Sequence, residues 1–296
     1  MRSLLAALLL AALPAWAQAP AASVGTGSSH YLWQVSSMTN RIYLFGTVHA
    51  GKASWYPFPD VVEKAIDESR VIAVEADITN QEAMTKSAGA MIYVPPDSLQ
   101  KHVPPADYAR FQKLLAKYAI PESTMTTMKP FMAVSLLVFS EWGRLGYLPA
   151  YGVDLQLLSK AHQQKKRVIE LEGVETQIAL MESLTEKESA QLFAGTLSAL
   201  ESGLSAEQIT GIVNAWQTGD PKLLLEIASK YNTEVPGAKA FEEKFIWSRH
   251  DEMVKKIEGI LATKDKTFVA VGALHLAGER GLVEMLKKRG YVVKQL

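Results

Sequence analysis

IYLFGTVHAG, Ile42 to Gly51, is an apolar, β-rich run that closes in Gly-x-x-His, and FVAVGALHLAG, Phe268 to Gly278, repeats the pattern near the other end of the chain. A short run of such residues bounded by glycine reads as a buried strand. The glycines, Gly46 and Gly272, let the backbone turn sharply as each strand ends. His49 and His275 then fall just beyond the carboxyl ends of their strands, where open α/β sheets place their ligands. The expectation is that two histidines from opposite ends of one chain meet across a single sheet.

The flanking sequence fits that sheet. Tyr31–Val35 and Arg41–Phe45 read as a hairpin with its turn at 36–40. After the aromatic loop Trp55-Tyr56-Pro57-Phe58-Pro59, Asp60 and Glu63 match a capping box ahead of a helix with Val61, Val62, Ala65 and Ile66 on one face. Val71–Val74 is a second strand, with Glu75 at its end. Strand, helix and strand in this order predict a parallel pair that brings His49 and Glu75 to one edge. Helical spacing dominates about 81–150 and 175–261. Between them Asp154 leads a helix, and Val168–Leu171 is a third strand followed by Glu172. Thr185 with Glu188 and Ser205 with Gln208 match capping boxes, and Asp220-Pro221 reads as a cap followed by proline at the first helical position. One long helix is predicted from about Ala238 to Leu261, with Arg249 inside its apolar arc and His250 nearer the edge. Thr267–Val271 and Tyr291–Val293 read as the last strand pair, joined by an amphipathic helix. The fold class is therefore α/β: a central, mostly parallel sheet from strands at both ends of the mature chain, with a large helical insertion.

Composition narrows the function. With 296 residues, 48% of them hydrophobic, a sizeable core is available. Lys plus Arg (31) equals Asp plus Glu (31), and no basic tract argues for nucleic acid or an anionic membrane as partner. There is no cysteine, so disulfides, thiolate nucleophiles and Cys-ligated zinc are excluded. Arg2, the apolar run Leu4–Leu13, Pro14 and the site Ala15-Trp16-Ala17 make a secretory signal peptide of residues 1–17, with Ala19 as the alternative cleavage point. The start from Gln18 to about Ser29 is expected to be loose. No later segment is read as membrane-spanning, so the expected location is periplasmic or secreted.

Four strand ends carry distinctive polar residues: His49, Glu75, Glu172 and His275. Two imidazoles and a carboxylate suit a divalent metal with open positions, where a bound water loses a proton near neutral pH. The same residues suit metal-free chemistry, with a histidine as general base on water and a carboxylate to orient it. Each has a structural alternative: a satisfied histidine after a strand, a glutamate facing solvent, an Asp154 that only complements its helix dipole. Arg249 could pair with a buried carboxylate, hold a substrate carboxylate or steady a developing oxyanion. His250 is a further candidate, while His30, His102 and His162 lie in polar surroundings. Packing is the simpler account of Trp55 and Tyr56.

In order along the chain, YLFGTVHAG with YPFP and VIAVEAD, then GVDLQLLSKAHQQKKRVIELEGVETQIALM, then SRHDEM, then VAVGALHLAGERGLVEMLKKRGYVV resemble the TraB/GumN family, which includes the Tiki-type metalloproteases. The resemblance implies one α/β domain over 30–296, akin to the erythromycin-esterase and ChaN-like group. It implies a functional core of both Gly-x-x-His motifs and Glu75. It also implies a divalent ion such as Mn²⁺ or Co²⁺. On the residues, His49, His275 and Glu75 are the candidates to hold such an ion, Zn²⁺ included; a Glu75 that is not a ligand is the general base, and Asp154, Glu172 and His250 are candidates for the layer behind. Where relatives often carry Asn after the arginine of the third block, this chain has His250, which opens the ligand set to question. The expected activity is an exported metal-dependent hydrolase acting on a peptide. The alternatives are a protein that binds a peptide or small ligand in the same cleft without cleaving it, and a metal-free esterase-like hydrolase.

Overall fold

The computed structural model describes residues 30–296. The signal peptide and the loose start read from the sequence lie outside the described residues. The strands are β1 (Leu32–Ser36), β2 (Arg41–Thr47), β3 (Val71–Val74), β4 (Arg167–Glu170), β5 (Thr267–Gly272) and β6 (Val292–Gln295). The first helices are α1 (Asp60–Glu68), α2 (Gln81–Ala88), α3 (Pro105–Lys117), α4 (Pro130–Arg144), α5 (Val153–Gln163) and α6 (Val174–Glu182). They are followed by α7 (Glu186–Ser202), α8 (Leu204–Gln217), α9 (Pro221–Glu234), α10 (Ala238–Phe245), α11 (His250–Leu261) and α12 (Leu282–Lys288).

The strands form one six-stranded sheet in the order β4-β3-β5-β2-β1-β6. β4, β3, β5 and β2 run parallel, and the β1–β2 hairpin and β6 make the antiparallel side. β2, β3 and β5 are buried almost throughout, as parallel strands covered on both faces must be. The core over this sheet joins Phe45, Ile72 and Phe268 to Leu157, Leu158, Met253 and Ile257 from the covering helices. A second core, around Phe111, Leu137, Phe193 and Leu197, holds α3, α4 and α7 together. Among the described residues, no helix is long and apolar enough to cross a membrane.

Two strand expectations are corrected. β2 and β3 are parallel but not neighbours, because β5 inserts between them. β5 and β6 do not pair either: β6 leaves to the far edge and pairs with β1. β5 offers Phe268–Val271 fully buried and takes the centre, whereas β6 alternates exposed and half-buried positions, the pattern of an edge.

Several helix ends also differ. α1 starts without a side-chain cap; Glu63 instead accepts from the Phe58 amide at 2.9 Å. Ser205 lies inside α8, whose N-cap is Gly203 in the left-handed conformation. The Thr185–Glu188 box and the Asp220 cap form as expected. The long helix over Ala238–Leu261 is broken into α10, a 3-10 turn over Trp247–Arg249, and α11. At that break Arg249 Nη1 donates to the Phe245 carbonyl at 2.6 Å, satisfying an acceptor that the ended helix leaves open. The turn allows two consecutive residues, Arg249 and His250, to point inward, which a continuous helix, at about 100° per residue, does not.

Candidate functional site

The two Gly-x-x-His motifs leave adjacent strands nearly level: Gly46 lies opposite Val271, and Thr47 opposite Gly272. β3 stands on the other side of β5, with Val74 opposite Ala270, so Glu75 emerges at the same sheet end. Gly46 is needed because a Cβ there would meet Tyr31 Cδ1 at 2.3 Å. Its carbonyl is fixed by the Trp216 indole N–H at 2.7 Å. Trp216 in turn packs on Trp55, ring centroids 5.0 Å apart, so the aromatic loop serves packing.

His49 is set by α5. Gly152 approaches so closely that a Cβ would lie 2.4 Å from the His49 carbonyl oxygen. The Val153 amide then donates to the Val48 carbonyl at 2.9 Å, which places the first turn of α5 against the motif. Asp154 accepts from Thr47 Oγ1 at 2.6 Å and from His49 Nδ1–H at 2.9 Å. The imidazole is thereby oriented with Nε2 free, and 66% of its side chain is open to water. Asp154 is the main reason that His49 holds its proton up to about 9.

This pair carries a pH signature. An unfolded histidine loses its proton near pH 6.5. The stabilisation from protonated His49 is complete below that and is lost as pH rises through about 9. Because the ring is largely open to water, screening leaves roughly 1 kcal/mol of it. Urea unfolding of the wild type is expected to weaken by that amount between pH 6.5 and 9, and Asp154→Asn to be flatter over the same window. Equal slopes would show that Asp154 does not hold the proton.

The other half of the site is buried. Glu75 Oε1 accepts from the Gly272 amide at 2.6 Å, and Oε2 from Arg249 Nη2 at 2.5 Å and Gln177 Nε2 at 3.3 Å. Burial opposes its ionisation, but His275, Arg249 and the Gly272 amide outweigh it and hold the carboxyl at about 2. Glu172, at the end of β4, accepts from Arg249 Nε at 2.8 Å and also from Nη2. Arg249 Nη1 serves the Phe245 carbonyl at 2.6 Å and approaches His275 Nε2 at 3.3 Å. A guanidinium has five N–H donors, and this arrangement engages all five.

His250 and His275 define each other's tautomers. His250 Nδ1 donates to the Arg280 carbonyl at 2.7 Å, so its Nε2 is the acceptor for His275 Nδ1–H at 2.8 Å. That leaves a lone pair on His275 Nε2, 3.6 Å from Glu75 Oε2. His275 is 2% exposed, and burial is the largest of the causes that push it down to about 3. Burial likewise lowers His250. Both rings are therefore neutral at neutral pH.

Among the described residues, no group of three or more His, Asp or Glu side chains is arranged to hold a metal ion. The donor chemistry nonetheless fits one. His49 and His275 each have Nδ1 held by a partner, which turns Nε2 to the site as in a metal-ligating imidazole, and an ionised carboxylate stands beside the second; Nε2 of His275 is met here by Arg249 Nη1–H at 3.3 Å. What occupies the carboxylates here is Arg249. Sequence reasoning found His49, Glu75, Glu172 and His275 at strand ends and Arg249 on the apolar arc of a helix; the structure brings Arg249 onto both glutamates. It undervalued His250, whose burial follows from the unforeseen helix break, and missed Thr47 and Gln177, which carry no motif.

A sequence profile of the TraB/PrgY/gumN family matches residues 31–295. The chain is 28% identical over 271 residues to the uncharacterized protein YbaP of Escherichia coli (strain K12), covering 88% of this chain and 94% of that one. It is 25% identical over 331 residues to a metalloprotease TIKI homolog of Amphimedon queenslandica, covering 92% of this chain and 64% of the relative. To metalloprotease TIKI2 of Xenopus tropicalis it is 22% identical over 312 residues, with 89% and 59% covered. No solved structure matches the chain.

Proposed function

From a chain that belongs to the TraB/PrgY/gumN family, we propose an exported hydrolase, periplasmic or secreted, that cleaves an acyl bond, a peptide bond first, with the help of a divalent metal. The observation that carries the reading is the arrival of His49, His275 and Glu75 at one end of three adjacent strands. The similarity to proteins named metalloproteases supports the reaction class.

The roles follow from protonation. Without a metal His49 keeps a second proton, on Nε2, against Asp154; a cation bound there would displace that proton and leave Nδ1–H on Asp154. Glu75 stays ionised and orients the attacking water, and His275 Nε2 stands beside it with Arg249 Nη1–H as its donor. Both are weak bases, since each has a proton affinity far below neutrality. A bound divalent cation supplies the missing power by lowering the pKa of water to about 7; His49, His275 and Glu75 would hold it, and Mn²⁺, Co²⁺ and Zn²⁺ suit that donor set. Arg249 is a positioning residue: it aligns Glu75, Glu172 and His275, and has no donor left for substrate.

The test is hydrolysis of a peptide library by the purified mature protein, with His49→Ala and His275→Ala beside it. Each substitution is expected to lower turnover about 100-fold or more. EDTA should abolish turnover, and Mn²⁺, Co²⁺ or Zn²⁺ restore it. Unchanged hydrolysis in both variants sinks the assignment. Turnover that resists EDTA but needs His49 moves the reading to metal-free chemistry. Peptide retained and recovered intact moves it to a binding protein.

A further inference from the structure

A cavity of about 250 Å³ opens beside the site, between the starts of α4 and α7 and the end of α6. Its apolar lining includes Met91, Met132, Met181, Phe131 and Tyr93. Two walls are built onto the catalytic cleft. On α6, Gln177 donates to Glu75, and Met181 follows it one turn later on the same helix face. On the opposite wall Phe131 stacks on Phe245, centroids 5.7 Å apart, and the Phe245 carbonyl holds Arg249. With a rise of about 1.5 Å per residue, Met181 stands about 6 Å along α6 from Gln177, whose amide is 3.3 Å from the Glu75 carboxylate.

The occupant's chemistry can be read from the rim. Lys129 is paired with Glu182 at 3.3 Å, and His102 is hydrogen-bonded to Asp97 at 2.9 Å; Glu186, in the first turn of α7, is a further acidic group on the wall and disfavours an anionic occupant. Three methionines make the lining polarizable and adaptable, suited to apolar groups of varied shape. The volume is below the usual span for a whole drug-sized ligand, about 300–1,000 Å³, and suits one large side chain. At about 3.3 Å per residue an extended peptide covers roughly 10 Å in three residues.

We propose that this cavity is the specificity pocket of the hydrolase, and that it takes an uncharged, large apolar side chain two or three residues from the scissile bond. The proposal rests on the hydrolase reading for its substrate, but not for its apolar binding. Met181→Trp fills the pocket, Met181→Ala enlarges it, and neither residue type touches the cleft's proton-handling groups.

The experiment has two arms. The first compares kcat/KM for a fluorogenic peptide series that varies only the residue two or three positions from the cleaved bond, as Ala, Leu, Met, Phe, Trp or Glu. Wild type is expected to favour Leu, Met and Phe over Ala and Glu by about tenfold or more. Met181→Trp should erase that preference while sparing the Ala peptide, and Met181→Ala should shift it towards Trp. The second arm measures binding of 1-anilinonaphthalene-8-sulfonate to the folded proteins. Stoichiometric binding is expected to be lost in Met181→Trp and kept in His49→Ala. Probe binding that follows Met181 without any peptide cleavage supports the pocket and overturns the hydrolase reading alone. Cleavage indifferent to the varied residue, or changed equally for every peptide by both variants, overturns the pocket.

Discussion

Arg249→Met is expected to lower unfolding stability by about 3–5 kcal/mol at pH 8, because it strands two buried carboxylates without their cation. Glu75 and Glu172 side chains are 12% and 7% exposed, and Arg249 bonds both. The cost is not the worth of the ion pairs themselves, which desolvation largely cancels; it is the penalty of charges left unpaired. Two consequences separate this account from a simple loss of packing. Removing the charges in the triple variant Arg249→Met/Glu75→Gln/Glu172→Gln should recover much of the stability. The deficit of the single variant should also shrink towards pH 5, since carboxyls without Arg249 take up protons more readily folded than unfolded. Arg249→Lys should rescue only in part, for an ammonium has three donors and no planar fork. Urea midpoints for the four proteins at pH 5 and pH 8 decide it; a deficit independent of pH and unrelieved by the glutamine pair would assign Arg249 a packing role only.

The site was partly legible in the sequence because strands ending in Gly-x-x-His or in a glutamate announce what they present at a sheet edge. His49, Glu75 and His275 needed only the assumption of a common strand direction, which the parallel registers satisfy. Strand order was not legible. The helical crossover after β2 returns a parallel strand to the sheet, but nothing local to β3 says that β5, about two hundred residues away, will separate the two. The helix break at Trp247–Arg249 was hidden for a related reason. The periodicity of 238–261 is compatible with one helix, and the partners that favour the turn, Glu75, Glu172 and His275, come from distant strands. His250 was consequently placed near the helix edge, although it is 2% exposed and hydrogen-bonded to His275. Asp154 could be read as a helix-dipole residue, and it does lie in the first turn of α5; its grip on His49 depends on the close approach of Gly152.

The histidine pair behind Glu75 sets an acid limit on the fold. His275 donates to His250, and His250 donates to the Arg280 carbonyl, so a further proton on either ring must break a hydrogen bond or charge a buried group. In the folded protein His275 stays neutral down to about 3, whereas the unfolded chain binds that proton from about 6.5 downward. The unfolded state then holds more protons, so stability falls as pH drops below 6.5, by about 1.4 kcal/mol per pH unit for one such group. Between pH 6.5 and 4.5 the expected loss is about 3 kcal/mol, with His250 adding in the same direction. Glu75 extends the decline below that, because its carboxyl is held at about 2 in the fold. His275→Asn keeps an N–H towards His250 but cannot titrate. It should be less stable than wild type near pH 7 and lose less on acidification. A parallel slope in the two proteins would mean that the proton goes elsewhere. The sign is opposite to that of His49, whose contribution is complete below pH 6.5 and fades above it. The two histidines of the repeated motif thus bound the stable range from either side: one is kept charged by an aspartate at the water's edge, the other neutral by burial behind it.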